Sequence, residues 1–429
     1  MRAFMLGWEF PPLISGGLGT ACYGLTKAMS RSGVEIVFVL PRAQNVGGAS
    51  HAKILSAQGR IVTREVRELE DVTFHEVASP LRPYIGSGSH GGRSGQFGGG
   101  EERARYVRSW HCDPSEQLEN YPGDLYDQVR EYASKVAEIA TVEDFDIIHS
   151  HDWMTYPAGI AAAKVTAKPL IVHVHSTEFD RSGEHVNQRI YDIEREGMHA
   201  ANRVVAVSNY TRNIVTRHYG IVPDKVEVVY NAVEYDGESN GEPEQVLPER
   251  TDKIVLFLGR ITMQKGPEYF LAAAKKVLEK FDGVKFVMAG AGDMMCRIVE
   301  LAAQMGIGHK VLFTGFLRGT DVEKMYQMAD LFVMPSVSEP FGIAALEALS
   351  HRVPVLVSKQ SGIAEVLTHA LKVDFWDIDQ MANKITAVLK YPSLWTTLCD
   401  GGHAEARTFR WENAAAKIKS IYEGVLTGG

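Results

Sequence analysis

Short apolar runs alternate with amphipathic stretches along almost the whole chain. Residues 2–6 read as a strand, 18–31 as a helix and 34–40, behind Gly33, as a second strand, which predicts a βαβ unit. Strand patterns at 145–149, 169–174, 203–207 and 226–230 continue the series. A second series has strands at 254–258, 285–289, 311–314, 331–334 and 355–357, with helices at 267–280 and 341–350 among them. Residues 411–426 carry apolar positions at helical spacing and read as a closing helix. Short parallel strands joined by helices predict an α/β protein with two Rossmann-like, doubly wound parallel sheets.

Between 234 and 252 the chain turns polar and acidic, with Gly237, Gly241, Pro243 and Pro248, the composition of a linker. The expected domains are therefore 1–234 and 253–408, followed by a terminal segment 409–429. Length agrees, since 429 residues exceed one ordinary core. Two such domains leave a cleft between the carboxyl ends of their strands, where ligands bind in open parallel sheets. Residues 86–100 hold eight glycines, which suits a surface lid or an unpacked loop.

An apolar fraction of 45% and a charged fraction of 23% are those of an ordinary globular protein. A net charge of −8 argues against nucleic acid as the main partner, because that binding draws on many Lys and Arg contacts to phosphate. Cys22, Cys112, Cys296 and Cys399 have no C-x-x-C spacing, so reduced thiols and a reducing compartment are expected. Neither a signal-peptide pattern nor an apolar run of membrane-spanning length is found, and a cytoplasmic protein without integral membrane contact is expected.

The candidate chemistry sits just after strands. The loop containing Gly16, Gly17 and Gly19 leads into a helix and lets backbone N–H groups approach a phosphate. It is not a dinucleotide fingerprint, since Cys22 stands where the third glycine belongs. After the strand at 254–258, Arg260 and Lys265 put two cations on a loop at the mouth of a helix, a place that suits a pyrophosphate. After 331–334 come Glu339, Pro340, Phe341, Gly342, Ile343 and Glu347. Pro340 is expected at the first helical position, which puts Glu339 just outside the helix and Glu347 within it.

His149, His151, His173 and His175 form two H-x-H pairs at strand ends, each pair on one sheet face. They are read as residues lining a sugar site rather than as metal ligands, because no nearby Cys or carboxylate completes a zinc set at familiar spacing. No metal and no organic cofactor is expected. Asp144/Asp146 and Asp377/Asp379 are read as strand-start and helix-cap residues.

Gly259-Arg260-x4-Lys265, Glu339-x7-Glu347 and His151-Asp152-Trp153 together closely resemble GT-B retaining glycosyltransferases of the glycogen/sucrose synthase type, almost end to end. The segments 149–153, 173–178 and 207–209 resemble the α-glucan synthases more than the lipid-directed members. The resemblance implies a hexosyltransferase that uses a nucleoside diphosphate sugar, UDP- or ADP-glucose, with an α-glucan as acceptor. By the same resemblance Arg260 and Lys265 bind the diphosphate and Glu347 the ribose. Glu339 and the backbone of Phe341, Gly342 and Ile343 would hold the sugar and phosphate, and His151 would touch the sugar. Gly16 and Gly17 would approach the diphosphate from the first domain, and Phe316 and Leu317 would lie near the base. The helix after Phe409-x-Trp411 looks like one that crosses back to the first domain. Starch and bacterial glycogen synthases carry a Lys-x-Gly-Gly loop; this chain has Ile14-Ser15-Gly16-Gly17, which leaves donor base and acceptor open.

Two other readings stand beside this one. The same fold can serve a lipid, sugar-phosphate or small-metabolite acceptor, and Arg103, Arg105, Arg108, Tyr106 and Trp110 can touch a membrane or stack on sugar rings, or form a solvated helix face. A nucleotide-sugar epimerase or a nucleotide-binding regulator would use the same architecture.

Overall fold

The computed structural model describes residues 1–10, 17–41, 125–234 and 252–428, and the backbone of short strands at 53–56, 61–63 and 72–76. Gly16, the stretch 86–100, the arginine-rich run 103–110, Cys112 and the linker 235–251 lie outside the described residues.

The first half builds one sheet from β1 (Arg2–Leu6), β2 (Glu35–Leu40), β3 (Lys53–Ser56), β4 (Ile61–Thr63), β5 (Val72–Glu76), β6 (Ile147–His151), β7 (Leu170–Val174), β8 (Arg203–Ala206) and β9 (Val226–Val228). Their spatial order is β4-β3-β5-β2-β1-β6-β7-β8-β9, and every pairing is parallel except β3 with β4. The second half builds β10 (Lys253–Leu258), β11 (Val284–Ala289), β12 (Val311–Gly315), β13 (Leu331–Met334), β14 (Val355–Ser358) and β15 (Leu371–Val373). These pair in the order β12-β11-β10-β13-β14-β15, all parallel. The chain is thus an α/β protein of two Rossmann-like parallel sheets, the GT-B architecture.

Strands buried on both faces read as unbroken apolar runs, which is why they were visible in the sequence. Helices cover both faces of each sheet, and each sheet carries a core on either side. β6 differs from expectation: it begins at Ile147, two residues late, and runs on through His149 and His151. Phe145 stacks on Phe4 before the strand starts, and the Asp146 carboxylate accepts a hydrogen bond from the Arg2 N–H at 2.8 Å. The histidines continue the strand because they are themselves buried.

The last helix, Trp411–Thr427, buries Trp411, Ala414, Ala415, Ile418 and Tyr422 against the first sheet and the helix Gly17–Arg31. Gly24 makes this approach possible, since a Cβ there would fall 2.2 Å from the Trp411 indole. Cys296 is disulfide-bonded, at variance with the expected set of reduced thiols, because spacing along the chain does not report approach in space. Cys22 and Cys399 are free and buried.

Candidate active site

The loops that follow β10 and β13 bring two distant segments of the second domain together. Lys265 closes a single 3-10 turn, Met263–Lys265, and its Nζ lies 2.5 Å from Oε2 of Glu339. Ser336 donates to the same oxygen at 3.2 Å. Glu339 is nearly buried, held by its own N–H to the Gln360 carbonyl at 2.9 Å and by Gly362 N–H to its carbonyl at 2.9 Å. Arg260, on the same loop as Lys265, directs a guanidinium N–H toward Gln264 Oε1 at 3.4 Å.

Pro340 is not the first helical residue. The helix begins at Ile343, because Gly342 adopts φ 113° and turns the chain before the first helical turn. A side chain at Gly342 would also crowd Met334, whose Cε would stand 2.9 Å from the new Cβ. The Pro340 carbonyl instead accepts from Ser208 at 2.5 Å and Thr211 at 3.2 Å, both in the first half of the chain. Phe341 is buried between Tyr230 and Phe409, with ring centroids 6.0 and 6.4 Å away. No side chain caps the helix Ile343–Ser350, so the N–H groups of its first turn present a partial positive charge beside Glu339. Gly17 opens the helix Gly17–Arg31 across from this point; a Cβ on it would lie 4.0 Å from Ile343 Cδ1.

Glu347 lies one helical turn further on. Tyr326 donates to its Oε2 at 2.9 Å, and burial raises its carboxyl above the ordinary range despite that bond. Phe316 leaves about half of its surface open (49%), with the Arg318 guanidinium 5.2 Å from its ring centre; Leu317 beside it is partly buried against the second core. Such a floor suits a planar ring.

The first half contributes the segments after β6 and β7. Asp152, in a left-handed conformation at φ 60°, accepts from the His175 N–H at 2.7 Å and the Ser176 N–H at 3.3 Å, and desolvation pushes its carboxyl up to about 7. Thr177 and Asp180 then form a reciprocal cap on the helix Glu178–Ser182. Arg181 pairs with Glu178 and Glu194 in the interior. Asp180 reaches across to the Ser338 hydroxyl, and Tyr210 meets the same hydroxyl at 3.0 Å, so Ser338, next to Glu339, is gripped by both halves. Glu365 accepts from the Asn209 and Tyr210 N–H groups at 2.7 and 3.1 Å.

His151 is placed differently from Lys265 and Glu339. Its ring has no exposed surface; it stacks with His149 and His173, meets the tilted ring of His175, and burial pushes its pKa down to about 3. Asp377 caps the helix Ile378–Lys390 by accepting from Gln380 N–H, and Asp379 pairs with Lys276; both are structural. Tyr326, Ser336, Ser338 and Asp180 were not singled out from the sequence. The only signal for them was position, since Ser336 and Ser338 lie in the loop directly after β13.

Among the described residues, no helix is long and apolar enough to cross a membrane. The model of group 1 glycosyl transferases matches residues 240–398, and that of glycosyltransferase family 4 matches residues 97–236. An uncharacterized glycosyltransferase of Methanocaldococcus jannaschii is 28% identical over 99% of this chain and 98% of its own. A D-inositol 3-phosphate glycosyltransferase of Segniliparus rotundus is 26% identical over 66% of this chain and 67% of its own. The structure of Anabaena HepE in complex with UDP and glucose superposes with a TM-score of 0.69 at 16% identity, covering 99% of this chain and 100% of that one. The two matches adjoin, one in each half, so the chain is similar to group 1 glycosyl transferases in its second half and to glycosyltransferase family 4 in its first, and it is a nucleotide-sugar-dependent hexosyltransferase.

Proposed function

We propose that the protein transfers glucose, with retention of configuration, from a nucleoside diphosphate to the hydroxyl of an α-glucan. The observation that carries this reading is the Lys265–Glu339 pair, 2.5 Å apart, beside the uncapped N-terminus of the helix Ile343–Ser350. Cations and free N–H groups converge there on a place for a diphosphate, and a carboxylate stands next to it for sugar hydroxyls.

Breaking the bond from sugar to diphosphate builds negative charge on the leaving oxygen and positive charge on the sugar ring. Arg260, Lys265 and the N–H groups of Gly342 and Ile343 stabilise the former without waiting for solvent to reorganise. If each charge-assisted bond is worth about 1.5–3 kcal/mol, the two cations contribute about two to four powers of ten in rate. They thereby fill the role a divalent ion plays elsewhere in phosphate chemistry. The departing phosphate oxygen accepts the proton of the incoming hydroxyl on the same face of the sugar. Glu347 takes the ribose hydroxyls and Phe316, with Leu317, the base. Gly17, and Gly16 before it, approach the diphosphate from the opposite side of the cleft. His151 supports the sugar side from beneath, through His175 and the loop that Asp152 ties down.

A phosphorylated polyol or sugar is the second acceptor reading, favoured by the relative that acts on D-inositol 3-phosphate. Incubation with UDP-glucose or ADP-glucose and either glycogen or D-inositol 3-phosphate separates the two. Polymer growth supports the first; a glucosylated inositol phosphate replaces it with the second.

A further inference from the structure

Four imidazoles on and just after two adjacent strands form one stack, in which His149, His151 and His173 are buried and His175 is partly exposed. β6 and β7 pair with His151 opposite His173, and alternation puts His149 and His175 on the same face. Ring centroids are 4.4 Å apart for His149 and His151, 4.2 Å for His173 and His175, and 5.3 Å for His173 with either His149 or His151.

The hydrogen bonds of this stack are incomplete in a particular way. Nδ1 of His149 meets the Tyr422 hydroxyl at 2.5 Å, and Nδ1 of His151 meets Nε2 of His175 at 2.9 Å. Nε2 of His149, Nε2 of His151 and both ring nitrogens of His173 have no partner, although all three side chains are at most 2% exposed. A buried polar atom left dry forfeits the hydrogen bonds it made with water, so a native interior does not keep several together without an ion or a water between them. One ring nitrogen from each of His149, His151 and His173 lies within 4.8 Å of the other two. A neutral imidazole with one nitrogen tied to a neighbour and the other free is the state in which histidine binds a metal.

We propose that His149, His151 and His173 bind one first-row divalent transition-metal ion, of the zinc class, inside the first domain. A tetrahedral zinc site needs nitrogens about 3.3 Å apart at bond lengths of about 2.0–2.1 Å, so binding the ion requires the stacked rings to turn their edges toward one point. The donor chemistry narrows the ion. Imidazoles, with the Cys22 thiol grouped near His151 and His175, select zinc, copper, nickel or iron over magnesium or calcium, which require oxygen ligands. The ion clamps β6 to β7, and through the Tyr422 hydroxyl on His149 it fixes the closing helix to the first sheet. It serves structure and uses none of Arg260, Lys265 and Glu339, so the inference does not rest on the donor or acceptor proposed above.

The test uses the full chain with any purification tag removed, dialysed against zinc or cobalt(II) and then against metal-free buffer. Elemental analysis is expected to find about one ion per chain, with cobalt giving the visible bands of a tetrahedral nitrogen site. His149→Gln and His173→Leu are expected to lose the ion, His185→Ala, on the surface, to keep it, and a chelator to lower the wild-type Tm. If both variants fail to fold, the wild-type cobalt spectrum and the chelator shift decide alone. A wild-type chain that retains no stoichiometric ion, gives no tetrahedral cobalt bands and keeps its Tm with chelator overturns the proposal and leaves water as the partner of the stack.

Discussion

Lys265 and Glu339 are 74 positions apart in sequence, yet Nζ of the first rests 2.5 Å from Oε2 of the second. Each comes from the loop after a parallel strand, β10 and β13, which are neighbours in the second sheet. The pair holds a cation at the carboxyl end of the sheet, where the fold leaves a crevice. A carboxylate so placed keeps the lysine aimed until a diphosphate competes for it.

Replacement Lys265→Ala removes that cation and leaves Glu339 without its charged partner. Loss of a charge-assisted bond to the leaving phosphate is expected to lower kcat about 10- to 150-fold. Circular dichroism should remain that of the wild type. An unchanged kcat takes Lys265 out of the reaction.

Glu347 sets function against stability. Burial raises its carboxyl above the ordinary range, so the folded chain holds this proton more tightly than the unfolded one. The associated stability is complete below the unfolded pKa and is lost as pH rises through the folded value. Glu347→Gln, which keeps an acceptor for Tyr326, is therefore expected to raise Tm at neutral pH while raising KM for the donor. Below pH 5, where the unfolded carboxyl also protonates, the difference in Tm should shrink. A variant that loses Tm at neutral pH, or that binds donor as before, contradicts this.

Phe316 offers an exposed ring at the end of β12. A base–aromatic stack is worth about 1–3 kcal/mol, so Phe316→Ala should raise KM for the donor about 5- to 150-fold with kcat little changed. The check is a donor titration at saturating acceptor. A fall in kcat with constant KM assigns the ring to another step.

Gly24 is where the closing helix meets the first domain. Gly24→Ala puts a methyl 2.2 Å from Trp411, and overpacking of this kind costs about 1–3 kcal/mol. Urea unfolding should show a lower midpoint. No change would mean that the helix docks elsewhere.

The alternation of apolar runs and helical stretches was legible because strands buried on both faces carry little else. β6 was the exception: His149 and His151 look like the end of a strand by polarity, and only the stack they join explains why the strand continues through them. The pairing of each H-x-H on one face follows from alternation. The register that sets His151 beside His173, and the approach of Tyr422 from 273 residues away, depend on tertiary packing and leave no local trace. In the candidate site the charged residues stood out by motif. Tyr326 and Asp180 did not, since a tyrosine on a helix and an acid in a cap are common, and their partners Glu347 and Ser338 are distant in sequence. Pro340 misled for a physical reason: it favours a helix start, but Gly342 turns the chain after it and delays the helix to Ile343.

The most direct test of the central claim is proton NMR of the product formed from UDP-α-glucose or ADP-α-glucose and the accepting hydroxyl. The account expects a new α-anomeric signal, growing in step with nucleoside diphosphate release. A β-anomeric product, or donor consumed only to free glucose with every acceptor tried, contradicts it.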